Sequence, residues 1–356
     1  MTMTSSTFLD SDIAQIVAGL DGAEQGFSGK TLLLAGAGGF LGRYFTAVFR
    51  HLNKKVLSTP CRVIAMDNFI TSSERPEGPD ADPLIHMMRH DVTQPLNLDE
   101  AVDFVVQAAG IASPFYYRAY PLETLAVATT GTKNLLDLAT KWRARFTFFS
   151  SSEIYGDPDP RHVPTPESYR GNVACLGPRA CYDESKRLGE TLCYIYHERF
   201  GTSTNQIRPF NVYGPGMQQT DYRVLANFAG QIKAGRPLNV YGTGKQTRTF
   251  CYVTDAIVGF LLTMLRGVPG EAYNIGNPVP EVSMLDLVKE IEVLLGRSLA
   301  HRIIEYPDSY PADEPNRRCP DITKARMQLG FEPVVALPDG LKRFLDWSDR
   351  AYAVQA

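Results

Sequence analysis

A short apolar run followed by three evenly spaced glycines is the feature that most constrains this chain. The run covers residues 31–35, and the glycines follow at every third position. In a strand that turns sharply into a helix, the first glycine permits the turn, the second lets the backbone approach a pyrophosphate, and the third lets the helix lie close to the strand. Phosphates would bind at the helix N-terminus, where unpaired N–H groups favour negative charge. The residues predicted to hold a dinucleotide here are Gly36, Gly39, Phe40, Leu41 and Gly42.

A second apolar run, residues 62–66, ends in Asp67. A carboxylate at this strand end can accept hydrogen bonds from both hydroxyls of an adenosine ribose. It would also repel a 2′-phosphate, so the sequence favours NAD over NADP. An ordinary strand–turn–helix with a surface aspartate is the alternative. At the ends of later strands, Asp91 is placed within reach of adenine, and small residues such as Ala109 let a dinucleotide lie close across the strand ends. The further predicted cofactor-binding residues are Asn68, Asp91, Val92 and Ala109.

The composition excludes several classes of protein. The chain has 356 residues, 44% of them hydrophobic, and a net charge of −3, which gives no sign of an electrostatic nucleic-acid binder. No apolar run approaches the roughly 20 residues that span a bilayer, and the N-terminus lacks a signal-peptide pattern. The six cysteines form no CxxC pair, and no cluster of residues suggests a metal. We therefore expect a cytoplasmic protein with reduced thiols, no metal, and neither a membrane nor a nucleic acid as partner.

Strand and helix patterns alternate up to about residue 209, which is typical of a Rossmann-type, doubly wound parallel α/β sheet. The patterns include one long helix over 121–141. Beyond residue 210, strands shorten and proline and glycine become frequent, which indicates a smaller substrate-binding domain. The predicted division is an N-terminal extension over 1–28, an NAD-binding domain over 29–209, and a mainly substrate-binding domain over 210–356 with some segments returning to the NAD-binding domain. The extension is expected to pack on the surface or on a partner subunit.

Tyr182 and Lys186 lie four residues apart in a stretch with a helical pattern over 182–200. A nearby ammonium stabilises a phenolate and lowers the phenol pKa from about 10 toward neutrality. Such a phenolate can take a proton from an alcohol while hydride leaves to a nicotinamide. Lys186 is also placed to hydrogen-bond the nicotinamide ribose, so both residues join the cofactor site. A surface tyrosine–lysine pair is the alternative, but the glycine turn and the serine-rich strand end before residue 152 favour catalysis.

These motifs resemble those of the extended short-chain dehydrogenase/reductases, the group that remodels nucleotide sugars. GAGGFLG matches their GxxGxxG turn and YDESK their YxxxK. Within the group the chain most resembles the UDP-glucuronate decarboxylases, or UDP-xylose synthases, from about residue 30 to residue 347. The blocks that carry this resemblance are SSSEIYGDP, GPRACYDESKRLGETLCY, RPFNVYGP, GKQTRTFCYVTDAI and RRCPDITKA.

The resemblance implies a decarboxylation with internal recycling of NADH. Tyr182 takes the proton of the sugar 4-hydroxyl while NAD takes the C4 hydride. The 4-ketone then lies β to the C6 carboxylate, so CO₂ leaves and C5 is protonated. The hydride returns to C4, and UDP-glucuronate becomes UDP-xylose.

Further site residues follow from the same resemblance. Ser151 is expected to hydrogen-bond the reacting hydroxyl, Ser152 and Glu153 to line the sugar pocket, and Arg318 to hold the sugar carboxylate or to act in C5 protonation. For Glu153 the alternative is a strand-end carboxylate that caps a turn. The remaining predicted substrate-binding residues are Tyr117, Asn211, Arg223, Tyr241 and Arg248, among which the arginines suit a diphosphate.

The chain also departs from the family pattern. Ser185 and Tyr222 stand where glycines are common, and Ala128 stands where the group commonly has an asparagine of a proton relay. Two alternatives therefore stay open: a nucleotide-sugar 4-epimerase or 4,6-dehydratase on the same fold, and a non-catalytic nucleotide-binding protein.

The resemblance also implies a homodimer joined through the helices over 121–141 and 180–200. The apolar residues of the second helix, Leu188, Leu192 and Ile195, fit an interface or a core equally well.

Overall fold

The fold is described here from a computed structural model that covers residues 9–72, 83–221, 223–306 and 315–353. Its strands are β1 (Thr31–Ala35), β2 (Arg62–Asp67), β3 (Ile85–Arg89), β4 (Phe104–Gln107), β5 (Arg145–Phe149), β6 (Thr204–Pro209), β7 (Val212–Tyr213), β8 (Leu238–Tyr241), β9 (Thr247–Arg248), β10 (Cys251–Tyr252), β11 (Ala272–Ile275), β12 (Val282–Ser283), β13 (His301–Ile304) and β14 (Arg317–Arg318). Its helices are α1 (Asp10–Leu20), α2 (Phe40–Lys55), α3 (Pro114–Ala119), α4 (Pro121–Ala128), α5 (Thr130–Trp142), α6 (Ala180–Phe200), α7 (Val224–Lys233), α8 (Val253–Arg266), α9 (Met284–Leu295), α10 (Thr323–Leu329) and α11 (Leu337–Ala351). Short 3₁₀ turns cover Ala23–Phe27, Ser152–Tyr155 and Pro160–His162.

A seven-stranded sheet forms the centre of the fold, in the order β11-β6-β5-β4-β1-β2-β3. All of its neighbouring strands pair in parallel. The chain fills one half of the sheet outward from β1 and then returns to fill the other half from β4. The strand order therefore reverses between β1 and β4, and in doubly wound sheets ligands bind in the crevice at that reversal. This architecture confirms the predicted Rossmann-type sheet.

Strand β1 shows why the sheet is covered on both faces. Leu32 and Leu34 belong to the apolar cluster that contains α1, α2 and α8 residues, whereas Leu33 and Ala35 belong to the cluster under α5 and α6. Because successive side chains of a strand point to opposite faces, a continuous apolar run has to be buried on both. The five-residue apolar run in the sequence therefore predicted this central strand with its observed bounds.

The glycine turn between β1 and α2 has the geometry that its spacing predicts. Gly36 has a φ of +83°, and a Cβ on it would lie 2.6 Å from the backbone of Ala108 on the neighbouring strand end. A Cβ on Gly42 would lie 2.1 Å from the carbonyl oxygen of Gly36, so α2 can approach β1 only with glycine there. The backbone at Gly39 stays open, since a Cβ there would meet only that same oxygen, at 3.4 Å.

The prediction of one helix over 121–141 is wrong in one respect, because the structure breaks it at Thr129. The backbone of Thr129 has φ −111° and ψ −74°, and its hydroxyl donates to the carbonyl of Leu125 at 2.8 Å. A threonine hydroxyl bonded to the carbonyl four residues earlier tends to bend a helix. The following Gly131 lets α5 pack tightly, since a Cβ there would lie 2.6 Å from Val92.

The N-terminal helix α1 packs on its own chain, against α8 and α2. Ile13, Ile16 and Leu20 are buried in the core, and the fully buried Asp12 accepts a hydrogen bond from the hydroxyl of Tyr252 at 2.8 Å. Burial raises the pKa of Asp12. The sequence left open whether this extension covers its own subunit or a partner. In the described part, residues 9–28, it covers its own subunit.

The strands after residue 210 are two to four residues long, as the frequent proline and glycine predicted. Strand β9 lies between β12 and β14, which pairs Arg248 with Arg318 in adjacent strands. Strand β11 instead joins the edge of the central sheet beside β6. The C-terminal part of the chain therefore places arginines beside the sheet and also completes the sheet itself.

The close contact of α2 with β1 predicts that Gly42→Ala lowers the free energy of unfolding by about 1–3 kcal/mol, because two backbone segments have to separate. The matched control is Gly230→Ala in α7, where a Cβ would meet only Gln219, at 3.6 Å. That change should leave stability unchanged or raise it by up to about 1 kcal/mol. Urea denaturation measures both, and equal stabilities for Gly42→Ala and the unaltered protein would contradict the packing.

Candidate functional site

A groove lies over the reversal point of the sheet. It brings together seven residues predicted to bind a dinucleotide: Gly36, Gly39, Asp67, Asn68, Asp91, Val92 and Ala109. Phe40, Leu41 and Gly42 form the first turn of α2 directly behind it, and that turn has no side-chain cap. The unpaired N–H groups of this helix end therefore remain for a ligand.

Two carboxylates are fixed in the groove. Asp67 accepts from the backbone N–H of Gly38 at 2.9 Å and from that of Phe69 at 2.7 Å, which ties the end of β2 to the glycine turn. Burial raises the pKa of Asp67. Asp91 accepts from the backbone and hydroxyl of Thr93 at 2.9 and 2.8 Å. Although burial opposes it, these hydrogen bonds lower the pKa of Asp91, so this carboxylate stays ionised.

A second cavity, called the arginine cavity below, adjoins the groove. Residues 108–111 line the groove, and Ala112 and Pro114 of the same segment line the cavity. The cavity brings together residues that lie far apart in the sequence. The predicted site residues on its wall are Tyr117, Glu153, Tyr182, Asn211, Arg223, Tyr241, Arg248 and Arg318.

Tyr182 lies in the first turn of α6, at the wall of the arginine cavity, with its ring stacked on that of Tyr117 at a centroid distance of 5.4 Å. Its phenol hydrogen-bonds Ser151, which follows β5. Lys186, one turn later in α6, lies behind the ring with its Nζ 5.7 Å from the ring centroid. That Nζ donates to the carbonyl of Phe149 at 2.7 Å, so helix and sheet are joined beneath the tyrosine.

The ionisation of Tyr182 differs from the expectation. Burial raises the pKa of Tyr182 to about 12, against the opposing hydrogen bond from Ser151. Burial also lowers the pKa of Lys186 to about 8. The predicted shift of the phenol toward neutrality is therefore wrong for the protein alone, because desolvation outweighs the charge of a lysine that is bonded to a backbone carbonyl.

Glu153 lies in the 3₁₀ turn after β5 and, like Tyr182, lines the arginine cavity. The hydroxyl of Ser151, two residues earlier, accepts from the backbone N–H of Glu153 at 3.2 Å. Its carboxylate pairs with both Nη atoms of Arg318, the Oε2–Nη2 distance being 2.6 Å, and with Nη2 of Arg179. Although burial raises it, the two guanidinium groups hold the pKa of Glu153 well below its usual range. Glu153 is therefore a buried, ionised carboxylate, and Ser151 rather than Glu153 caps the turn.

The other predicted residues line the same wall. Arg223 pairs with Asp221 at 2.5 Å, and its guanidinium lies 5.9 Å from the ring centroid of Phe40, beside the glycine turn. Arg248 donates to the carbonyls of Thr247 and Pro315 at 2.8 and 2.7 Å. These two arginines line the same cavity.

Asn211 and Tyr241 lie further along the arginine cavity. Asn211, whose φ is +43°, donates to the carbonyl of Thr249 at 2.8 Å. Tyr241 stacks on Tyr306 at a centroid distance of 5.6 Å. Ser152 is buried within the 3₁₀ turn.

Sequence reasoning missed Arg179 and Tyr306, which also line the cavity. Arg179 stands three residues before Tyr182, a spacing that puts both side chains on one face of a helix, and this spacing could have revealed it. Tyr306 follows β13, and no pattern in the sequence marks it.

Two of the three departures from the family pattern fall on described residues. Ser185 is buried in α6, and its hydroxyl donates to the carbonyl of Tyr182 at 2.8 Å, so it adds no group to the cavity. Ala128 is buried at the end of α4. Tyr222 lies outside the described residues.

Sequence comparison now gives the family. The model of the NAD dependent epimerase/dehydratase family matches residues 32–276. The chain belongs to this family. It is 39% identical over 315 residues to UDP-glucuronic acid decarboxylase 5 of Arabidopsis thaliana, with 88% of each chain covered. It is 38% identical to UDP-glucuronic acid decarboxylase 1 of Xenopus tropicalis, with 92% of this chain and 74% of that protein covered.

Solved structures of family members share the fold. UDP-glucuronic acid 4-epimerase from Bacillus cereus, in complex with UDP-glucuronic acid and NAD, has a TM-score of 0.74 and 25% identity. That match covers 90% of this chain and 100% of the epimerase. DesIV, a dTDP-glucose 4,6-dehydratase from Streptomyces venezuelae with NAD bound, has a TM-score of 0.76 at 24% identity, which shows the fold alone.

Three further observations concern the described residues as a whole. Among them, no helix has both the length and the apolar character that a bilayer crossing requires. The same residues contain no cluster of three histidine, cysteine or acidic side chains with the geometry of a metal site. All six cysteines are free.

The burial of Tyr182 predicts that its phenol stays protonated up to about pH 11 in the ligand-free protein. The difference in ultraviolet absorbance at 295 nm between the unaltered protein and Tyr182→Phe reports this one ionisation during a pH titration. An inflection below pH 10 in that difference would contradict the predicted desolvation. In Ser151→Ala, which loses the opposing hydrogen bond, the inflection should move to still higher pH.

Proposed function

We propose that this protein is an NAD-dependent decarboxylase that converts UDP-glucuronate to UDP-xylose through a 4-keto intermediate. One observation supports the proposal: Arg318, Glu153 and Tyr182 line the same cavity, so that a carboxylate-binding group and an acid–base group border one space. An arginine fork matches a sugar carboxylate bidentately. The 39% identity to UDP-glucuronic acid decarboxylase 5 over 88% of both chains supports this substrate.

The groove suits NAD. The turn that only glycine can form at residue 36, the uncapped start of α2 and the carboxylate of Asp67 fit a pyrophosphate and an adenosine ribose without a 2′-phosphate. Asp91 and Ala109 provide a carboxylate near the adenine and a small surface beneath the dinucleotide. Bound NAD would supply reversible hydride acceptance at the sugar C4.

Tyr182 takes the proton of the 4-hydroxyl and later returns it. Ser151, which is hydrogen-bonded to the phenol, orients that hydroxyl. Lys186 holds positive charge behind the ring, where it stabilises the phenolate as this forms. Since burial keeps the phenol protonated in the protein alone, its deprotonation depends on added positive charge, which the oxidised nicotinamide ring of bound NAD would supply.

Arg318 holds the C6 carboxylate beside the developing 4-ketone, and the ketone accepts the electron pair as CO₂ leaves. Glu153 lies on the cavity wall where C5 gains its proton, with Ser152 beside it in the same 3₁₀ turn. Arg248 and Arg223, which line the same cavity, hold the diphosphate, with Asn211 and Tyr117 beside the sugar and Tyr241 beside the nucleobase. In this assignment residues 29–209 carry NAD and residues 210–356 mainly the substrate, with β11 returning to the sheet.

A 4-epimerase is the second candidate, because the solved epimerase structure at 25% identity has UDP-glucuronic acid and NAD bound. NMR of the product distinguishes the outcomes. Loss of C6 means decarboxylation, inversion at C4 means epimerisation, and a 6-deoxy-4-ketone means dehydration. Release of no CO₂ from UDP-glucuronate or related nucleotide uronates would overturn the proposed function.

Replacing the acid–base group should separate catalysis from binding. Tyr182→Phe is expected to lower the rate of CO₂ release by at least about 100-fold, since general acid–base groups typically contribute that much. It should leave NAD binding unchanged in calorimetry. Tyr194→Phe, on the exposed side of the same helix, is the matched control and should keep full activity. Unchanged turnover in Tyr182→Phe would refute the acid–base assignment and favour a non-catalytic nucleotide-binding protein.

We propose a homodimer in the cytoplasm, joined through the helices between residues 121 and 200. Leu122 in α4 and Leu188, Tyr194 and Ile195 in α6 are exposed large apolar side chains, with Leu122 74% exposed. Helices α4 and α6 pack side by side, so these side chains share one surface. An apolar surface of this kind usually marks a protein–protein contact. The free thiols of the six cysteines suit a reducing compartment.

Charge on this surface should break the dimer. Light scattering coupled to size exclusion is expected to give a dimer for the unaltered protein and a monomer for the double variant Leu188→Glu, Ile195→Glu, because buried unpaired carboxylates oppose association. The control is Val293→Glu in α9, which is 78% exposed and should leave the mass unchanged. A monomer before any substitution would contradict the interface.

A further inference from the structure

Arg179 is a buried arginine of the cavity to which the proposed reaction gives no role. It is the residue immediately before α6, the helix that carries Tyr182 and Lys186. Its Nη2 pairs with Oε2 of Glu153, and its Nε lies 3.4 Å from Oδ2 of Asp183, one turn further along the helix. The side chains of Arg179 and Asp183 are 10% and 8% exposed. Arg179 therefore connects Glu153 to the helix of the acid–base tyrosine.

Glu153 is shared between two arginines. Arg318 binds both of its oxygens through both Nη atoms, and Nη2 of Arg179 binds Oε2. The fork of Arg318 that would hold a substrate carboxylate is thus occupied by the carboxylate of the protein itself. Arg248 and Arg223 are bonded to backbone carbonyls and to Asp221, respectively. A uronate that takes the Nη1/Nη2 edge of Arg318 therefore has to replace Glu153 there.

That exchange would leave a buried carboxylate without Arg318. A buried charge that loses its partner is strongly unfavourable, and the group then takes up a proton or turns away. Arg179 contacts Glu153 from the side of α6, through a hydrogen bond separate from those of Arg318. It can therefore keep Glu153 ionised and in place after Arg318 has turned to the substrate.

We propose that Arg179 is a positioning residue, which holds Glu153 charged and fixed at the cavity wall while Arg318 exchanges Glu153 for the carboxylate of the substrate. The inference rests on the proposed function for the identity of that carboxylate. Because Arg179 is fixed to the first turn of α6, it also sets the distance between Glu153 and Tyr182. Arg179 acts through Glu153 and bonds no reacting atom.

The charges around Glu153 come from several elements. Arg318 lies in β14, Arg248 in β9, Arg179 at the start of α6, and Asp183 and Tyr182 within α6. Burial, and then the charge of Glu153, raise the pKa of Asp183. Ionised Asp183 competes with Glu153 for the charge of Arg179, whereas protonated Asp183 does not. Asp183 therefore weakens the Arg179–Glu153 pair only when it is ionised.

The first test needs no turnover. In protein labelled with ¹³C at the glutamate carboxyl carbon, the resonance of Glu153 is the one that disappears in Glu153→Gln. Its pH titration should show that Arg179→Met raises the pKa of Glu153 by at least about one unit, since one of two paired charges is lost. Arg326→Met, an equal loss of charge on the exposed face of α10, is the control and should leave this titration unchanged. An unchanged titration in Arg179→Met overturns the proposal.

The second test separates the exchange from general damage. Calorimetry on NAD-loaded protein that also carries Tyr182→Phe, so that the substrate is not consumed, compares UDP-glucuronate with UDP-glucose, which has no carboxylate and leaves Arg318 on Glu153. Arg179→Met should weaken UDP-glucuronate binding about 10- to 100-fold and leave UDP-glucose binding unchanged. Added guanidinium should restore the loss. Equal weakening of both ligands, or no weakening of either, overturns the exchange.

These readouts also separate two kinds of failure. If the unaltered protein releases no CO₂ from UDP-glucuronate, the proposed function fails, while the titration of Glu153 and the carboxylate-selective binding still decide the role of Arg179. If Arg179→Met does not fold, Arg179→Lys replaces it. That variant keeps the charge but has a single donor group, and it should show the same selectivity with a smaller loss.

Discussion

The parallel register of the central sheet is the constraint on which the site depends. Because all seven strands run the same way, the carboxyl ends of β1, β2, β4 and β5 meet at one edge. The glycine turn, the segment after β4 and Ser151 follow those ends, and Asp67 is the last residue of β2. Helix α6 packs on one face of the sheet, and the bond from Lys186 to the carbonyl of Phe149 ties its first turns, with Tyr182, to the end of β5.

Charge compensation is the second requirement of this site. The arginine cavity holds several guanidinium groups within a largely buried wall, and Glu153, Asp183 and Asp221 pair with them. Such an arrangement suits an anionic substrate, since the positive charge is already desolvated and oriented before the substrate arrives. The two arginines on Glu153 also explain how a carboxylate beside the acid–base tyrosine stays ionised in spite of its burial.

The sequence predicted much of this because the relevant signals are local. The apolar run at β1, the three glycines, the aspartate that ends β2 and the four-residue spacing of Tyr182 and Lys186 each lie within a few residues, and the structure confirms their geometry. The pairing of Glu153 with Arg318 spans 165 residues, so only a family resemblance brought these two together beforehand. The helix break at Thr129 depends on one side-chain hydrogen bond, and the ionisation of Tyr182 depends on burial, which no local pattern gives.

In the proposed decarboxylation, one sugar carbon is oxidised and then restored in a single closed site. The most direct measurement follows hydrogen through the reaction, using UDP-glucuronate that carries deuterium at C4. With this substrate in ordinary water, the UDP-xylose formed should keep its deuterium at C4, and with unlabelled substrate in heavy water it should gain a single deuterium at C5. Loss of the C4 deuterium to solvent, or a pentose without solvent hydrogen at C5, would contradict the account.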